Sequence, residues 1–140
     1  MNPRLWVVDT NVAVAAILAA DTEAPPARIL QAMHAEGLRF MLNVELLAEY
    51  RRVLLRPRIR SRHGLDENEV DEILHTLAIQ AVITDTSART ESAPGPGGNH
   101  LWRLLAAKPD AGLITGDALL IANPPPERKI LTPREFIEPL

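Results

Sequence analysis

Two aspartates of this chain each follow a short apolar run. Asp9 comes directly after residues 5–8, and Asp117 ends the sequence Leu-Ile-Thr-Gly-Asp that begins at residue 113. Each apolar run is typical of a buried strand, and the carboxyl ends of parallel strands meet at one edge of a sheet. Carboxylates brought together at that edge are the ligands that a hard divalent cation needs. Each aspartate alone is explained equally well as the cap of a following helix.

A third carboxylate can come from the helix predicted after the second strand. Glu45 and Glu49 lie one turn apart on nearly the same face of that helix, so either side chain can face the site. A glutamate on an amphipathic helix is most often a solvated surface group. The pattern by itself therefore leaves the third acid open.

One segment is strongly basic in a chain that is otherwise acidic. The 15 basic and 18 acidic residues give a net charge of -3, so a nucleic-acid site needs a local basic patch. Such a patch is offered by Arg51, Arg52, Arg56, Arg58, Arg60 and Arg62. Arginine side chains bind phosphate oxygens and can guide RNA without reading its bases. A solvated helix end paired with the acids at 66, 67 and 69, or a surface for a partner's acidic tail, explains the segment as well.

His100 and the two tryptophans are expected to have structural roles. His100 can also join the site, but no second histidine lies at metal-ligand spacing from it, so a surface or capping role is favoured. Trp6 and Trp102 lie within apolar patterns, which favours the core over exposed platforms for stacking bases.

Short apolar strands alternate with helical segments along the chain. Strands are predicted at 5–8, 39–42, 81–84, 112–115 and 129–131, and helices at 12–20, 27–36, 44–55, 67–81 and 99–107. Gly37 is the predicted C-cap of the second helix, Asn43 is the predicted N-cap of the third, and Arg56-Pro57 ends that third helix. A Pro/Gly-rich loop covers 92–98. The alternation predicts an α/β fold, with one domain over residues 1–140 and a central, mainly parallel sheet flanked by helices.

Composition is that of an ordinary globular protein. The 140 residues are 46% hydrophobic and 24% charged, which excludes disorder and rod-like folds and suits one core. Without cysteine there is no disulfide framework, thiolate nucleophile or cysteine zinc site, so any metal is held by oxygen or imidazole. No apolar run is long enough to cross a bilayer and no leader pattern is visible, so we expect a cytoplasmic protein without a membrane partner.

Several stretches, in order along the chain, resemble the PIN-domain family. They are the run 7–12 (Val-Val-Asp-Thr-Asn-Val), the run 46–54 with Arg56-Pro57, and His100-Leu101-Trp102 before the Thr-Gly-Asp sequence that ends at Asp117. Residues 131–136 are similar to the family's closing strand and tail. The most similar subgroup is that of the VapC-like toxins of bacterial toxin–antitoxin pairs. No single motif is specific, and the ordered set carries the resemblance.

The resemblance implies a three-layer PIN-like domain that acts as a metal-dependent endoribonuclease. It implies Mg²⁺ or Mn²⁺ as the cofactor, RNA as the substrate, a cognate antitoxin as a partner and a homodimer. Catalytic and metal-binding roles fall on Asp9, Glu49 and Asp117, with Glu49 preferred to Glu45. Supporting positions fall on Asn11, Thr115 and Asn99, and the RNA-binding residues are then Arg51, Arg52 and Arg56.

The chain departs from the family at two positions. Gly98 stands where the family usually has an aspartate, three residues before Leu101, and Leu119 stands where a further acid sometimes follows the Thr-Gly-Asp motif. The neighbouring Asn99 is a neutral and weaker ligand. Because a hard cation is held by charge and ligand number, the lost carboxylate weakens the site. The alternative interpretation is a weakened nuclease retained as an RNA- or protein-binding module.

A phosphotransfer enzyme or receiver domain is a more distant alternative. Such proteins also carry a reactive aspartate at the end of a parallel strand, as Asp9 does. A haloacid-dehalogenase-like enzyme would usually have a second aspartate where Asn11 stands, and a receiver would usually have an acidic pair beside the phosphorylated aspartate. The chain has neither.

Overall fold

Five short strands form the sheet of the described residues. In the computed structural model, which describes residues 3–95 and 97–138, they are β1 (Leu5–Val8), β2 (Met41–Leu42), β3 (Val82–Ile83), β4 (Ala111–Ile114) and β5 (Ile130–Leu131). β1 pairs with β4, β4 pairs with β5, and β2 pairs with β3, and every pair is parallel. A parallel bridge between Trp6 and Phe40 joins the two groups, giving the order β3-β2-β1-β4-β5.

Helices connect and flank these strands. The described residues form α1 (Thr10–Leu18), α2 (Pro25–His34), α3 (Val44–Leu54), α4 (Pro57–His63), α5 (Glu67–Gln80), α6 (Asn99–Ala107), α7 (Ala118–Ala122) and α8 (Pro133–Ile137). Helices α1, α2, α3 and α5 pack on one another, and α6 lies against β1 and β4. The predicted α/β fold with a mainly parallel sheet is confirmed.

Side-chain caps explain where several helices begin. Asn43 caps α3 as predicted, because its side chain accepts a 2.8 Å hydrogen bond from the backbone N–H of Leu46. Asp66 and Glu69 form a reciprocal capping box at the start of α5. Both caps lie at polar residues that directly precede an amphipathic run, so the chain enters these helices at defined positions.

Prolines begin three further helices. Pro25, Pro57 and Pro133 each occupy the first helical position of α2, α4 and α8, where proline has no N–H to leave unsatisfied. The sequence patterns predicted none of α4, α7 and α8. Pro57 was assigned only as a helix end, and Pro133 only as part of a C-terminal tail. Gly37 is also not the C-cap of α2: Ala35 holds that position, and Glu36 adopts the left-handed backbone conformation with φ of 61°.

The hydrophobic core lies between the sheet and the helices. β1 and β4 are buried at every position, and α3 contributes Leu46, Tyr50 and Leu54. The hydroxyl of Tyr50 donates a hydrogen bond to the backbone oxygen of Val8, and burial raises the pKa of this tyrosine well above its ordinary value. This contact holds α3 against the carboxyl end of β1. None of the helices in the described ranges has the length and apolar character needed to cross a bilayer.

Candidate active site

Asp9 lies at the carboxyl end of β1 and caps α1. Its Oδ1 accepts a 2.7 Å hydrogen bond from the backbone N–H of Thr10, and its Oδ2 accepts a 2.7 Å hydrogen bond from the hydroxyl of Thr115. The residue is only 7% exposed. Burial raises the pKa of Asp9 and the nearby charge of Glu49 adds to that rise, while the bonds from Thr115 and Thr10 oppose it. The carboxylate is therefore a buried anion that two hydrogen bonds stabilise only in part.

Thr115 connects Asp9 to the second aspartate. Its fully buried hydroxyl donates to Asp9 and accepts a 3.0 Å hydrogen bond from the backbone N–H of Asp117. Asp117 is exposed, and its Oδ1 caps α7 by accepting a 2.9 Å hydrogen bond from the N–H of Leu119. Asn11 accepts a weaker, 3.4 Å bond from the N–H of Gly116. Both aspartates are thus helix caps and also lie at the same edge of the sheet.

Glu49 reaches this edge from α3. The hydroxyl of Thr10 donates to its Oε1, His100 Nε2 lies 3.6 Å from the same oxygen, and Arg52 Nη2 lies 3.6 Å from Oε2. The side chain of Glu49 is 19% exposed. Glu45 instead pairs with Arg103 at 3.0 Å. The structure therefore places Glu49, and not Glu45, beside Asp9.

A cavity of about 610 Å³ opens beside these acids. Asp9, Glu49 and Asp117 all line it, together with Thr10 and Asn11. The rest of the lining comes from apolar side chains of α1, α3, α6 and α7, from the arginines Arg52 and Arg56, and from the glycines at 95, 97 and 98. The cavity lining thus combines acidic, basic and apolar side chains, and Arg52 lies 3.6 Å from Glu49.

The basic segment divides into two groups. Arg51 faces α5, where it pairs with Glu67 and lies 2.7 Å from Asp71, and these hydrogen bonds raise the pKa of the guanidinium further. Arg52 and Arg56 line the cavity. The arginines at 58, 60 and 62 lie exposed on α4. Of the three predicted RNA-binding arginines, two therefore face the acidic site and one links two helices.

His100 departs from its expected role. It is 7% exposed, so the expectation of a surface or capping histidine is wrong. A signal for this burial was available, because His100 precedes Leu101 and lies one turn before Leu104, and both leucines are buried on the apolar face of α6. Asn99 lies apart from the cavity lining, and its Oδ1 accepts a 2.9 Å bond from the N–H of Ala93.

The tryptophans have the structural roles predicted for them. Trp6 is buried, and its ring meets that of Phe136 edge-on with centroids 5.1 Å apart. Trp102 is partly buried against the core. Neither ring is among the residues that line the cavity.

Gly98 and Leu119 line the cavity at the two positions where an acid was expected and is missing. Gly98 is the N-cap residue of α6, with φ of -100°, and no side chain caps the helix there. Leu119 is 46% exposed, and a Cβ added at Gly95 would lie 2.7 Å from its Cδ2. The loop therefore approaches Leu119 as closely as a residue without a side chain permits.

The donor atoms at this edge suit a hard cation in kind. Carboxylate and hydroxyl oxygens are the ligands of Mg²⁺ and Mn²⁺, and the raised pKa of Asp9 indicates a buried anion without full compensation. Within residues 3–95 and 97–138, no three acid or histidine side chains are gathered as a complete metal cluster. Mg²⁺ usually keeps several waters and binds through one or two carboxylates, so it needs no dense cluster. Asp9 and Glu49 provide that number, and Asp117 lies at the same cavity.

Comparison with known families finds one whose profile covers most of the chain. The profile of the PIN domain family matches residues 6–118, which include all three acids and most of the chain. PIN domains are generally nucleases, and those nucleases generally use divalent metals. No curated protein is a significant match to this chain.

Proposed function

Because this chain belongs to the PIN domain family, we propose that it is a divalent-metal-dependent endoribonuclease and the toxin of a toxin–antitoxin pair. The observation that carries the proposal is the convergence of Asp9, Glu49 and Asp117 on one cavity whose wall also holds two arginines. RNA, a cognate antitoxin, a homodimer and a cytoplasmic location belong to the same proposal. They rest on the resemblance to the toxin subgroup.

The three acids have different positions and therefore different roles. Asp9 is the most deeply buried and is oriented by hydrogen bonds to both of its oxygens, so it is the fixed ligand of Mg²⁺ or Mn²⁺. Glu49 lines the cavity beside Arg52 and would hold or deprotonate the attacking water. Asp117 keeps one oxygen on the N–H of Leu119 and offers the other to the cation or its water. The cation, when bound, polarises the phosphate and lowers the pKa of a water.

The arginines position the RNA chain. Arg52 and Arg56 lie on the wall of the cavity beside the acids, where a phosphodiester must approach. A guanidinium binds phosphate oxygens in a fixed geometry and carries no base information. Arg52 also lies 3.6 Å from Glu49, so it reduces the repulsion between that carboxylate and an incoming phosphate. Arginine contacts of this kind favour binding of RNA of many sequences.

Manganese binding tests the shared site. Isothermal titration calorimetry of the full chain with Mn²⁺ should show one binding event that Asp9→Asn and Asp117→Asn each weaken, together with manganese-dependent cleavage of single-stranded RNA that Asp9→Asn abolishes. The matched control is Asp110→Asn, which removes an exposed aspartate just before the amino end of β4. Unchanged isotherms for both site variants would contradict the shared site.

A second candidate function is supported by the cavity itself. Gly98 contributes no acid, and Glu49 is already close to Arg52 and His100. A protein with this arrangement retains the cavity and its arginines while it binds metal weakly, and so acts as an RNA- or protein-binding module. RNA binding without manganese affinity or cleavage would favour this second function.

A further inference from the structure

His100 carries an unsatisfied polar atom at the edge of the candidate active site. Its side chain is 9% exposed, and its Nε2 is fully buried without a hydrogen-bond partner. Buried polar atoms are nearly always satisfied, so an orphaned ring nitrogen needs a physical reason. Oε1 of Glu49 lies 3.6 Å from this nitrogen. That distance is too long for a hydrogen bond and short enough for a small side-chain rotation to close.

We propose that His100 is a positioning residue for Glu49. The Nε2–H of His100 donates to Oε1 of Glu49 and so fixes the orientation of that carboxylate at the cavity. This inference rests on the proposed function, because it assigns His100 a role through one of the three acids. Hydrogen bonds in active sites are often long in ligand-free structures and tighten when the site is loaded. The 3.6 Å separation is the open form of such a bond.

The position of His100 argues against direct contact with metal or substrate. Its Nε2 is fully buried, and the residue is absent from the lining of the cavity, whereas Glu49 is part of that lining. His100 therefore approaches Glu49 from the protein interior and not from the cavity. With Oε1 held by Thr10 and His100, Oε2 is left beside Arg52, which lines the same cavity as Glu49.

Two further contacts hold His100 in place relative to Glu49. Asn43 caps α3, which carries Glu49, and its amide nitrogen lies 3.4 Å from the backbone oxygen of His100 on α6. Glu45 of α3 pairs with Arg103 of α6. The start of α3 is thus joined to the first two turns of α6, so the 3.6 Å approach of His100 to Glu49 belongs to a larger contact between the two helices.

In this role His100 gives α6 a part in the site although the family acid at the start of that helix is missing. α6 begins next to Gly98, which brings no carboxylate to the cavity. The same helix contributes a nitrogen donor two residues later, directed at an acid of α3. Partners that orient a metal ligand commonly change metal affinity by about 10- to 100-fold when they are removed. His100 is expected to act in that range.

The test measures Mn²⁺ affinity by calorimetry in folded variants of the full chain. His100→Leu removes the donor and should weaken Mn²⁺ binding about tenfold or more. His100→Gln places a nitrogen donor near the position of Nε2 and should retain most of the affinity, whereas His100→Asn places its donor too far from Glu49 and should behave like His100→Leu. The matched control is His34→Leu, since His34 on α2 also has a buried Nε2 without a partner but lies away from the cavity lining. It should leave Mn²⁺ binding unchanged.

A double-mutant cycle separates positioning from a general structural effect. If His100 acts through Glu49, His100→Leu should have no further effect on Mn²⁺ affinity in a Glu49→Gln background. Equal losses in both backgrounds, or affinity in His100→Leu equal to that of the unmodified protein, would overturn the inference. If His100→Leu does not fold, the comparison of His100→Gln with His100→Asn decides in its place, and equal affinities for these two would overturn it.

Mn²⁺ binding by Asp9→Asn distinguishes failure of the His100 inference from failure of the proposed function. A loss of Mn²⁺ binding in Asp9→Asn with none in His100→Leu rejects the role of His100 and retains the metal site. Unchanged binding in Asp9→Asn rejects the metal site and with it the role of His100.

Discussion

The hydroxyl of Thr115 donates a 2.7 Å hydrogen bond to Oδ2 of Asp9, which lies 106 positions earlier in the chain. The same hydroxyl accepts from the N–H of Asp117, so one buried oxygen orients both aspartates at this edge of the sheet. We expect Thr115→Val to lower the free energy of unfolding by about 2 kcal/mol, because it leaves a buried carboxylate oxygen and a backbone N–H without this partner. Urea unfolding measures the change. Thr115→Ser keeps the hydroxyl and should lose clearly less of the free energy of unfolding. Equal losses in the two variants would contradict the hydrogen-bond explanation.

The buried carboxylate of Asp9 should make the metal-free protein less stable as pH rises. Its pKa is raised above the ordinary 3.8, mainly by burial, so the folded state holds the proton more tightly than the unfolded chain does. Between 3.8 and the raised pKa the folded state binds more protons, and the free energy of unfolding therefore falls with rising pH across that window. Asp9→Asn does not titrate, so its free energy of unfolding relative to that of the unmodified protein should rise with pH across that window.

Urea unfolding in the presence of a chelator, at acidic and at neutral pH, measures this difference. Asp110→Asn replaces an exposed aspartate and controls for the loss of one negative charge. A difference in unfolding free energy between Asp9→Asn and the unmodified protein that is the same at both pH values would show that Asp9 does not titrate in this window.

Arg52 and Arg56 should contact RNA phosphates, whereas Arg51 should not. Arg52→Gln and Arg56→Gln are expected to weaken binding to RNA of different sequences alike, and each should reduce the slope of log affinity against log salt concentration by about 0.7, as expected for one single-strand contact. Arg51→Gln is the matched control, because its guanidinium is already engaged with Glu67 and Asp71 of α5. Fluorescence anisotropy at several salt concentrations measures the slopes. A larger change in Arg51→Gln than in the other two would reverse this assignment.

Gly98→Asp should strengthen the metal site. Gly98 lines the cavity, and its φ of -100° is open to aspartate. A Cβ there would lie 3.1 Å from that of Ala93, so a shift of a few tenths of an ångström in that loop residue is needed. Residues that only hydrogen-bond to a metal ligand commonly contribute about tenfold or more to metal affinity, and a new carboxylate ligand should contribute at least as much. We therefore expect Mn²⁺ affinity to rise about tenfold or more, and manganese-dependent cleavage of single-stranded RNA to rise with it.

Two controls separate metal binding from helix capping in that experiment. Position 98 is the N-cap of α6, so an introduced side chain can also stabilise the helix. Gly98→Asn adds a similar cap without charge and should raise stability without raising Mn²⁺ affinity. Adding Asp9→Asn to Gly98→Asp should abolish the gain. A folded Gly98→Asp protein, verified by circular dichroism, that gains neither affinity nor cleavage would contradict the proposed role of this position.

The sequence predicts the parts of the fold that depend on local patterns. β1 and α6 occupy the predicted residues 5–8 and 99–107, and Asn43 is the N-cap expected of it. The helices that begin with Pro25 and Pro57 were placed wrongly or missed, because a proline that ends one helix is also well suited to begin the next. Local sequence does not distinguish these two uses.

The site was predictable to the extent that strand ends define it. Asp9 and Asp117 follow apolar runs, and a parallel sheet brings such positions to one edge. The choice between Glu45 and Glu49 needed the resemblance, since both lie on nearly the same helical face. In the structure Glu45 pairs with Arg103 instead of facing the site. The pairing of Arg51 with α5 is likewise a tertiary contact, invisible in the spacing of charges.

The pairing of β1 with β4 also has a consequence for folding kinetics. Val8 and Ile114 are register partners, so the central strand pair forms only after a loop of about a hundred residues has closed, which is an entropically slow step. Helices α1 to α5 contact one another within the first part of the chain and need no such closure. A nascent chain that has not yet emerged beyond β4 therefore holds Asp9 without Thr115 and Glu49 without the sheet edge that completes the cavity. Assembly of the acidic site therefore requires that β4 and Thr115 have already been synthesised.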